Sequence, residues 1–218
     1  MKQSAGLNFD LSCTQCKRLA TFLKQVKQDH PDYHALPVPS FGHADAKFLI
    51  VGLAPGMHGA NATGRPFTGD HAGILLYEML YQHGFSSKPE SLSLTDGLVL
   101  KNCRITNAVK CLPPQNKPLT DEIKNCNHFL ANELAALQPG SVVLALGKIA
   151  HDAVIKSQGL ILSANPFIHA RQHQISDVFT LIDSYHCSRY NTNTKRLTTD
   201  MFDQIFSSVR MLLNAHEK

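Results

Sequence analysis

Three short runs, 47–53, 141–146 and 178–184, are apolar almost without interruption. A strand of that kind is buried on both faces, which an antiparallel sheet with one wet face does not require. A fourth run, 104–109, has the same character more weakly. Between them lie stretches with apolar residues at three- and four-residue spacings, over 11–28, 73–83, 120–137, 148–157 and 199–215, which predict helices. Alternation of buried strand and amphipathic helix specifies an α/β fold: a three-layer α/β/α sandwich on a central, largely parallel sheet. Its functional site is then expected beyond the carboxyl ends of the strands. No repeat, low-complexity tract or Pro/Gly-rich linker divides the chain, so residues 1–218 are read as one domain. The Pro-containing segment 31–41 reads as a surface connection.

With 43% hydrophobic and 17% charged residues in 218, the chain has material for one sizeable core. No segment approaches the roughly 18–20 continuous apolar residues that span a bilayer, and residues 1–10 lack the apolar core of a signal peptide. A cytoplasmic, nucleoid-associated protein without membrane contact is expected. Thiols stay reduced there, so the six cysteines are read as ligands, nucleophiles or core residues rather than as disulfides. The formal charge of +4 is compatible with a polyanionic partner but does not by itself argue for one.

Three loops follow predicted strands and should meet at one rim: 52–70, 107–116 and 186–196. The first is dense in glycine and proline, which allow tight turns and close approach to a ligand. It carries neither the Gly-Lys-Ser/Thr ending of a P-loop nor the Gly-x-Gly-x-x-Gly dinucleotide fingerprint, so no nucleotide cofactor is expected. Phe67 in this loop either stacks on a planar base or folds back into the core. Asp70 precedes an apolar helical stretch and suits an N-cap, a role that can coexist with a chemical one. Asn107 offers a donor and an acceptor, the complement of a lactam base edge, or else ends its strand by bonding local backbone.

Cys13 and Cys16 form a Cys-x2-Cys, whereas Cys111 and Cys126 are separated by 14 residues. That spacing is unlike the paired knuckles of zinc ribbons, and four thiolates suit iron–sulfur ligation better. Reduced core cysteines are the plainer reading. Cys103 and Cys187 are left over and read as structural.

The strings Gly-Leu-Ala-Pro-Gly at 52–56, His-Gly-Ala-Asn at 58–61, Thr-Gly-Arg-Pro-Phe-Thr-Gly-Asp at 63–70, Ile-Thr-Asn-Ala-Val-Lys-Cys at 105–111 and Ser-Tyr-His-Cys-Ser-Arg at 184–189 resemble family 5 uracil-DNA glycosylases, the B-type iron–sulfur members of their superfamily. The resemblance covers nearly the whole chain. It implies an enzyme that flips uracil out of DNA and hydrolyses its N-glycosidic bond, leaving an abasic site. It also implies a [4Fe-4S] cluster on Cys13, Cys16, Cys111 and Cys126, here expected to be structural because hydrolysis moves no electrons.

The residue roles follow from that chemistry. Bond cleavage leaves an electron-poor sugar and an anionic base, so negative charge or activated water is needed at C1′ and a donor at the departing base. Many relatives place a polar side chain in the first motif, but here Ala54 and Pro55 stand there. The burden shifts to Asp70, with Asn61 as a helper in placing water. His186 is the expected leaving-group donor; Phe67, Asn107, Ala54 and Gly56 are assigned to the base. Ser188, Arg189, Lys195 and Arg196 are assigned to the DNA backbone. The family's His-Pro-Ser is His186-Cys187-Ser188 here, so the loop lacks proline's fixed φ. No lysine stands out as a Schiff-base nucleophile, so a monofunctional enzyme is expected, acting as a monomer on uracil-containing DNA and also on hypoxanthine. The alternative is a non-catalytic iron–sulfur protein of the same fold that binds nucleic acid or a modified base. A nucleotide-dependent transferase ranks last, for want of a phosphate-binding fingerprint.

Overall fold

A computed structural model describes residues 9–215; residues 1–8, part of the stretch read above as lacking a signal-peptide core, lie outside it. The chain runs through α1 (Lys17–Asp29), β1 (Phe41–Gly42), β2 (Phe48–Gly52), α2 (Ala60–Thr63), α3 (His71–Gln82), β3 (Cys103–Asn107), α4 (Thr120–Ala135), β4 (Ser141–Leu146), α5 (Lys148–Ser157), β5 (Gln172–Gln174), β6 (Phe179–Ser184), α6 (Arg189–Asn193) and α7 (Thr199–Ala215). Among the described residues no helix is long and apolar enough to cross a membrane.

The six strands form one sheet in the order β1-β3-β2-β4-β6-β5. β3, β2, β4 and β6 are parallel, and the two short edge strands are antiparallel. All four parallel strands are buried along their whole length, as the apolar runs of β2 and β4 require, while β3 and β6 bury polar residues such as Arg104, Thr106 and Asp183 as well. Side chains alternate across the sheet. Phe48, Ile50, Val142, Leu144 and Ile182 pack with Leu76 and Leu80 of α3 and with Phe202, Phe206 and Val209 of α7. Leu49, Val51, Val143, Ala145 and Leu181 face Leu130 and Leu134 of α4 and Ala150 and Val154 of α5. The three layers follow directly. Helix α1 lies outside them, its Leu19, Leu23 and Val26 packing on Val109, Phe129 and Leu112.

Three sequence expectations change. Helix α1 begins at Lys17 rather than near residue 11. Asp10 Oδ1 accepts from the Ser12 backbone N–H at 2.8 Å and from its hydroxyl at 2.6 Å, a local turn that competes with helix. The segment 31–41 is not a surface connection: Ala35, Val38 and Phe41 are buried. Its backbone donors reach Ala62 O, Asn61 O and Lys110 O at 2.9, 3.0 and 2.7 Å, and Phe41 enters the sheet. The edge strands β1 and β5 were not expected, because two or three residues carry no readable alternation.

Candidate active site

In a parallel sheet every strand delivers its carboxyl end to the same rim. Here Gly52 ends β2, Asn107 ends β3 in register beside it, and Ser184 ends β6. A cavity of about 670 Å³ opens at this rim, lined by residues 53, 54, 56–60, 67 and 69–72 together with Asn107, Asn116, His186, Ser188 and Arg189. The three loops therefore meet as the strand pattern predicted.

Asp70 caps α3: its Oδ1 accepts from Gly73 N at 2.9 Å. The other oxygen, Oδ2, faces Gly56 and Gly59, where a Cβ would come within 3.6 and 2.6 Å of it. Capping and access to the cavity thus use different oxygens. Burial raises the Asp70 carboxyl above its ordinary range, against the pull of the Gly73 and Ala72 backbone N–H groups and of His71.

Phe67 is buried and belongs to the core beneath the sheet rim, and its ring also lines the cavity. It lies stacked near His186, with centroids 5.9 Å apart and planes 28° apart. The backbone there has φ of 54°, a region costly for a bulky residue. The absence of a side chain at Gly52 makes room for it: a Cβ there would meet Phe67 Cζ at 2.7 Å and would collide with Asn107 Oδ1. Asn107 is buried at the strand end yet lines the cavity.

His186 follows β6 by two residues, and burial pushes its imidazole down to about 4, so the ring is neutral at physiological pH. Its loop is tied back by Asn191 Nδ2 donating to His186 O at 2.8 Å. Cys187, in place of the family's proline, is fully buried, and its thiol donates to Ala72 O at 3.3 Å. That bond ties the loop to α3 and supplies some of the rigidity the missing proline leaves open. Behind the loop, Asp183 of β6 accepts from His151 Nδ1 at 2.6 Å, His173 Nε2 at 2.9 Å and Ile168 N at 3.1 Å. His151 Nε2 lies 2.8 Å from Asn165 O. Both ring nitrogens face acceptors, an arrangement that favours the protonated ring, and the pKa is raised: burial opposes the charge but Asp183 outweighs it.

Other assigned residues fall differently. Ala54 and Gly56 line the cavity, as do Ser188, whose Oγ caps α6, and the exposed Arg189. Asn61 does not: it is fully buried, its Nδ2 directed to Met57 O at 3.5 Å. Lys195 and Arg196 are exposed and outside the lining, with the Arg196 guanidinium 4.6 Å above the Tyr185 ring. Missed by the residue assignment were His58 and His71, which line the cavity; His58 Nδ1 lies 2.7 Å from Tyr33 Oη. The signal was available, since His58 belongs to the Gly-rich loop and His71 directly follows its last residue, Asp70.

Cys13, Cys16, Cys111 and Cys126 line a second, small cavity between α1 and α4, with Phe9, Leu19, Val109 and Phe129. No three of the four sulfurs lie within 4.8 Å of one another among the described residues, although sulfurs around a single tetrahedral zinc would be about 3.8 Å apart, given the usual Zn–S length. The donor set is all-thiol and the spacing wider than one ion needs, which fits a polynuclear centre. Burial, and the proximity of the other thiols, pushes Cys111 up to about 12; burial pushes Cys126 up to about 11 against the pull of Lys110. Cationic iron would reverse that cost. Cys103 and Cys187 are buried in the other core.

A carboxylate, an amide, a neutral imidazole and an aromatic face, gathered at the open end of a parallel sheet, suit recognition and cleavage at a planar base. Residues 39–210 match the model of the uracil DNA glycosylase superfamily, and the chain belongs to that superfamily. Within it the relatives narrow the group to type 5. The chain is 43% identical over 218 residues to the type-5 uracil-DNA glycosylase of Thermus thermophilus, covering 97% of this chain and 99% of that one. It is 40% identical over 199 residues to that of Pyrobaculum aerophilum (89% and 86% covered) and 37% identical over 216 to that of Mycobacterium leprae (94% of each).

Proposed function

We propose that this protein is a monofunctional uracil-DNA glycosylase that takes uracil, and also hypoxanthine, from DNA by hydrolysis. The observation that carries the site assignment is the convergence of Asp70, Asn107, His186 and Phe67, from three separate loops, on one cavity. The base turns out of the duplex into that cavity, lies against Phe67, and is read by the Asn107 carboxamide, with Ala54 and Gly56 giving it room. The bond from C1′ to the base nitrogen breaks with its electron pair leaving on the base. His186, neutral and therefore a donor without net charge, stabilises that anion through a hydrogen bond. Asp70 Oδ2 stabilises the electron-poor sugar and orients the water whose oxygen bonds C1′; the water's proton passes to the carboxylate and then to solvent. Ser188 and Arg189 at the cavity mouth hold the backbone phosphates, and Lys195 and Arg196 extend the positive surface. Asn61 has no part in this scheme, since it is fully buried and outside the cavity lining.

Cys13, Cys16, Cys111 and Cys126 would hold a [4Fe-4S] cluster that fastens α1 to α4 and to the loop after β3. The cluster supplies a cross-link and takes no part in the hydrolysis. One continuous sheet shared by both helical layers supports a single domain, and the reading has it act as a monomer on the cell's DNA.

Single-turnover cleavage of duplexes carrying one uracil, one hypoxanthine or only normal bases tests this. Alkali-sensitive sites at the lesion, lost in Asp70→Asn, are expected. Tight lesion binding without excision would transfer the protein to the non-catalytic reading; excision surviving in Asp70→Asn would overturn the role given to the carboxylate.

A further inference from the structure

Between α3 and β3 the chain makes an excursion over residues 86–100, closed at its base by the pairing of Ser86 with Leu100 and by Ser87 N donating to Val99 O at 2.9 Å. None of its residues lines the cavity. It is nonetheless bonded on both sides of Phe67. Arg65, 2% exposed, sends Nη1 to Asp96 Oδ1 and Oδ2 at 3.0 and 2.9 Å and to Ser91 Oγ at 3.0 Å, and Nη2 to Leu94 O at 3.0 Å. Thr68 Oγ1 meets the same Ser91 hydroxyl at 2.6 Å. From α3, Tyr77 Oη donates to Pro66 O at 2.9 Å. The residues at 65, 66 and 68 are thus each held, and the residue among them is the one with a left-handed backbone and a ring in the cavity.

Asp96 is built to stay charged. Burial opposes ionisation, but the backbone N–H groups of Leu98, Leu92 and Ser93 and the Arg65 guanidinium hold its pKa at about 2. The same three N–H groups, at 2.9, 2.9 and 3.2 Å, fold the excursion around the carboxylate. One group therefore shapes the excursion and anchors the loop. A left-handed conformation at a bulky residue persists only where its surroundings over-determine it, and this bonding is what over-determines it.

We propose that the Arg65–Asp96–Ser91 clasp is a positioning unit of the base pocket. It fixes the left-handed turn that sets the Phe67 ring against Gly52 and beside Asn107, and so governs capture of the extruded base from outside the cavity. This rests on the reading of Phe67 as the base's stacking face. The clasp touches no reacting atom, and its effect passes through Phe67.

A double-mutant cycle on uracil-duplex cleavage by the intact protein tests it, with Phe67→Ala, Asp96→Asn and the pair. Phe67→Ala and Asp96→Asn are each expected to raise KM by about tenfold, the scale of one lost base–aromatic stack, with a smaller change in kcat. In the pair, Asp96→Asn should add nothing to KM. Ser91→Ala, which removes a shared hydroxyl but no charge, runs in parallel and carries the cycle if Asp96→Asn does not fold. Val209→Ala, in the α7 core, is the stability control: it should lower Tm and leave KM unchanged. Additive effects of the two substitutions on KM, or a fall in Tm with KM untouched, would overturn the clasp as a positioning unit while leaving the site intact. A silent Phe67→Ala would overturn the stacking reading itself and the clasp's role with it.

Discussion

Gly59→Ala is the sharpest probe of the carboxylate, because it moves Asp70 without altering its charge. The added Cβ would lie 2.6 Å from Asp70 Oδ2, 2.7 Å from its Cβ and 2.9 Å from its Cγ. Carbon contacts relax at about 3.5 Å or more, so the carboxylate must retreat by somewhat under about 1 Å. Rotating the side chain cannot relieve the clash, since Asp70 Cβ is itself involved; the turn leading into α3 has to shift. A misplacement of about 1 Å costs about 100-fold in rate, so single-turnover excision of uracil should fall by roughly that factor. The Oδ1 bond to Gly73 N should weaken too, lowering stability by about 1 kcal/mol as for other lost caps. Gly56→Ala serves as the volume control: its methyl stops at ordinary contact, 3.6 Å from the same oxygen, and should cost less than about tenfold, well short of the full misplacement. Quenched-flow cleavage with thermal melts of the three proteins reads both effects. If Gly59→Ala cuts within about threefold of the parent, a placed carboxylate worth about 100-fold is not at work and the proposed role of Asp70 fails.

Gly52→Ala should raise KM for uracil DNA and weaken discrimination against thymine, because its Cβ would displace both Asn107 Oδ1 and the Phe67 ring; competition with undamaged duplex measures this. His186 and His151 should give opposite pH slopes in Tm. His186 is lowered to about 4 from 6.5, so the unfolded chain binds a proton the folded one refuses between those values; stability rises with pH across that window, and His186→Asn should flatten it. His151 is raised, so its contribution is fully present below pH 6.5 and is lost as pH climbs through the raised value, a loss that His151→Gln should abolish. Cys126→Ser should strip iron, inorganic sulfide and visible absorbance and lower Tm, whereas Cys103→Ser, in the other core, should leave iron content unchanged; equal loss in both would detach the cluster from the four cysteines.

What was legible in the chain was whatever repeats along it. The apolar runs around Ile50, Leu144 and Ile182 gave the parallel core because burial on both faces leaves no polar positions, and a parallel core places Gly52, Asn107 and Ser184 at one rim. The edge strands and the start of α1 were not legible, being decided by pairing partners or by the Asp10–Ser12 turn. Phe67 shows why the site was only half visible. The choice between cavity face and core proved false, since Phe67 belongs to the core and also lines the cavity, and the residues on either side of it are bonded from residues 91–96, about 25 positions away in sequence. Asn61 failed for a similar reason: loop membership says nothing about the side of the loop on which a side chain falls.

The cavity's electrostatics bear on how Asp70 and His186 share the reaction. Burial disfavours charge on both, raising the carboxyl and lowering the imidazole, so desolvation favours a site in which both are neutral. The working state, carboxylate with neutral imidazole, exists only above both pKa values. The acid limb of kcat should therefore lie above the ordinary carboxylate range of about 3.9 and should disappear in Asp70→Asn along with the activity. The same desolvation makes the ionised carboxylate costly before the bond breaks and worth most once positive charge develops at C1′, since a charge pair in a dry site is weakly screened. A neutral His186 is the consistent companion: a cationic imidazole would neutralise the carboxylate in the ground state and leave less of its field for the sugar.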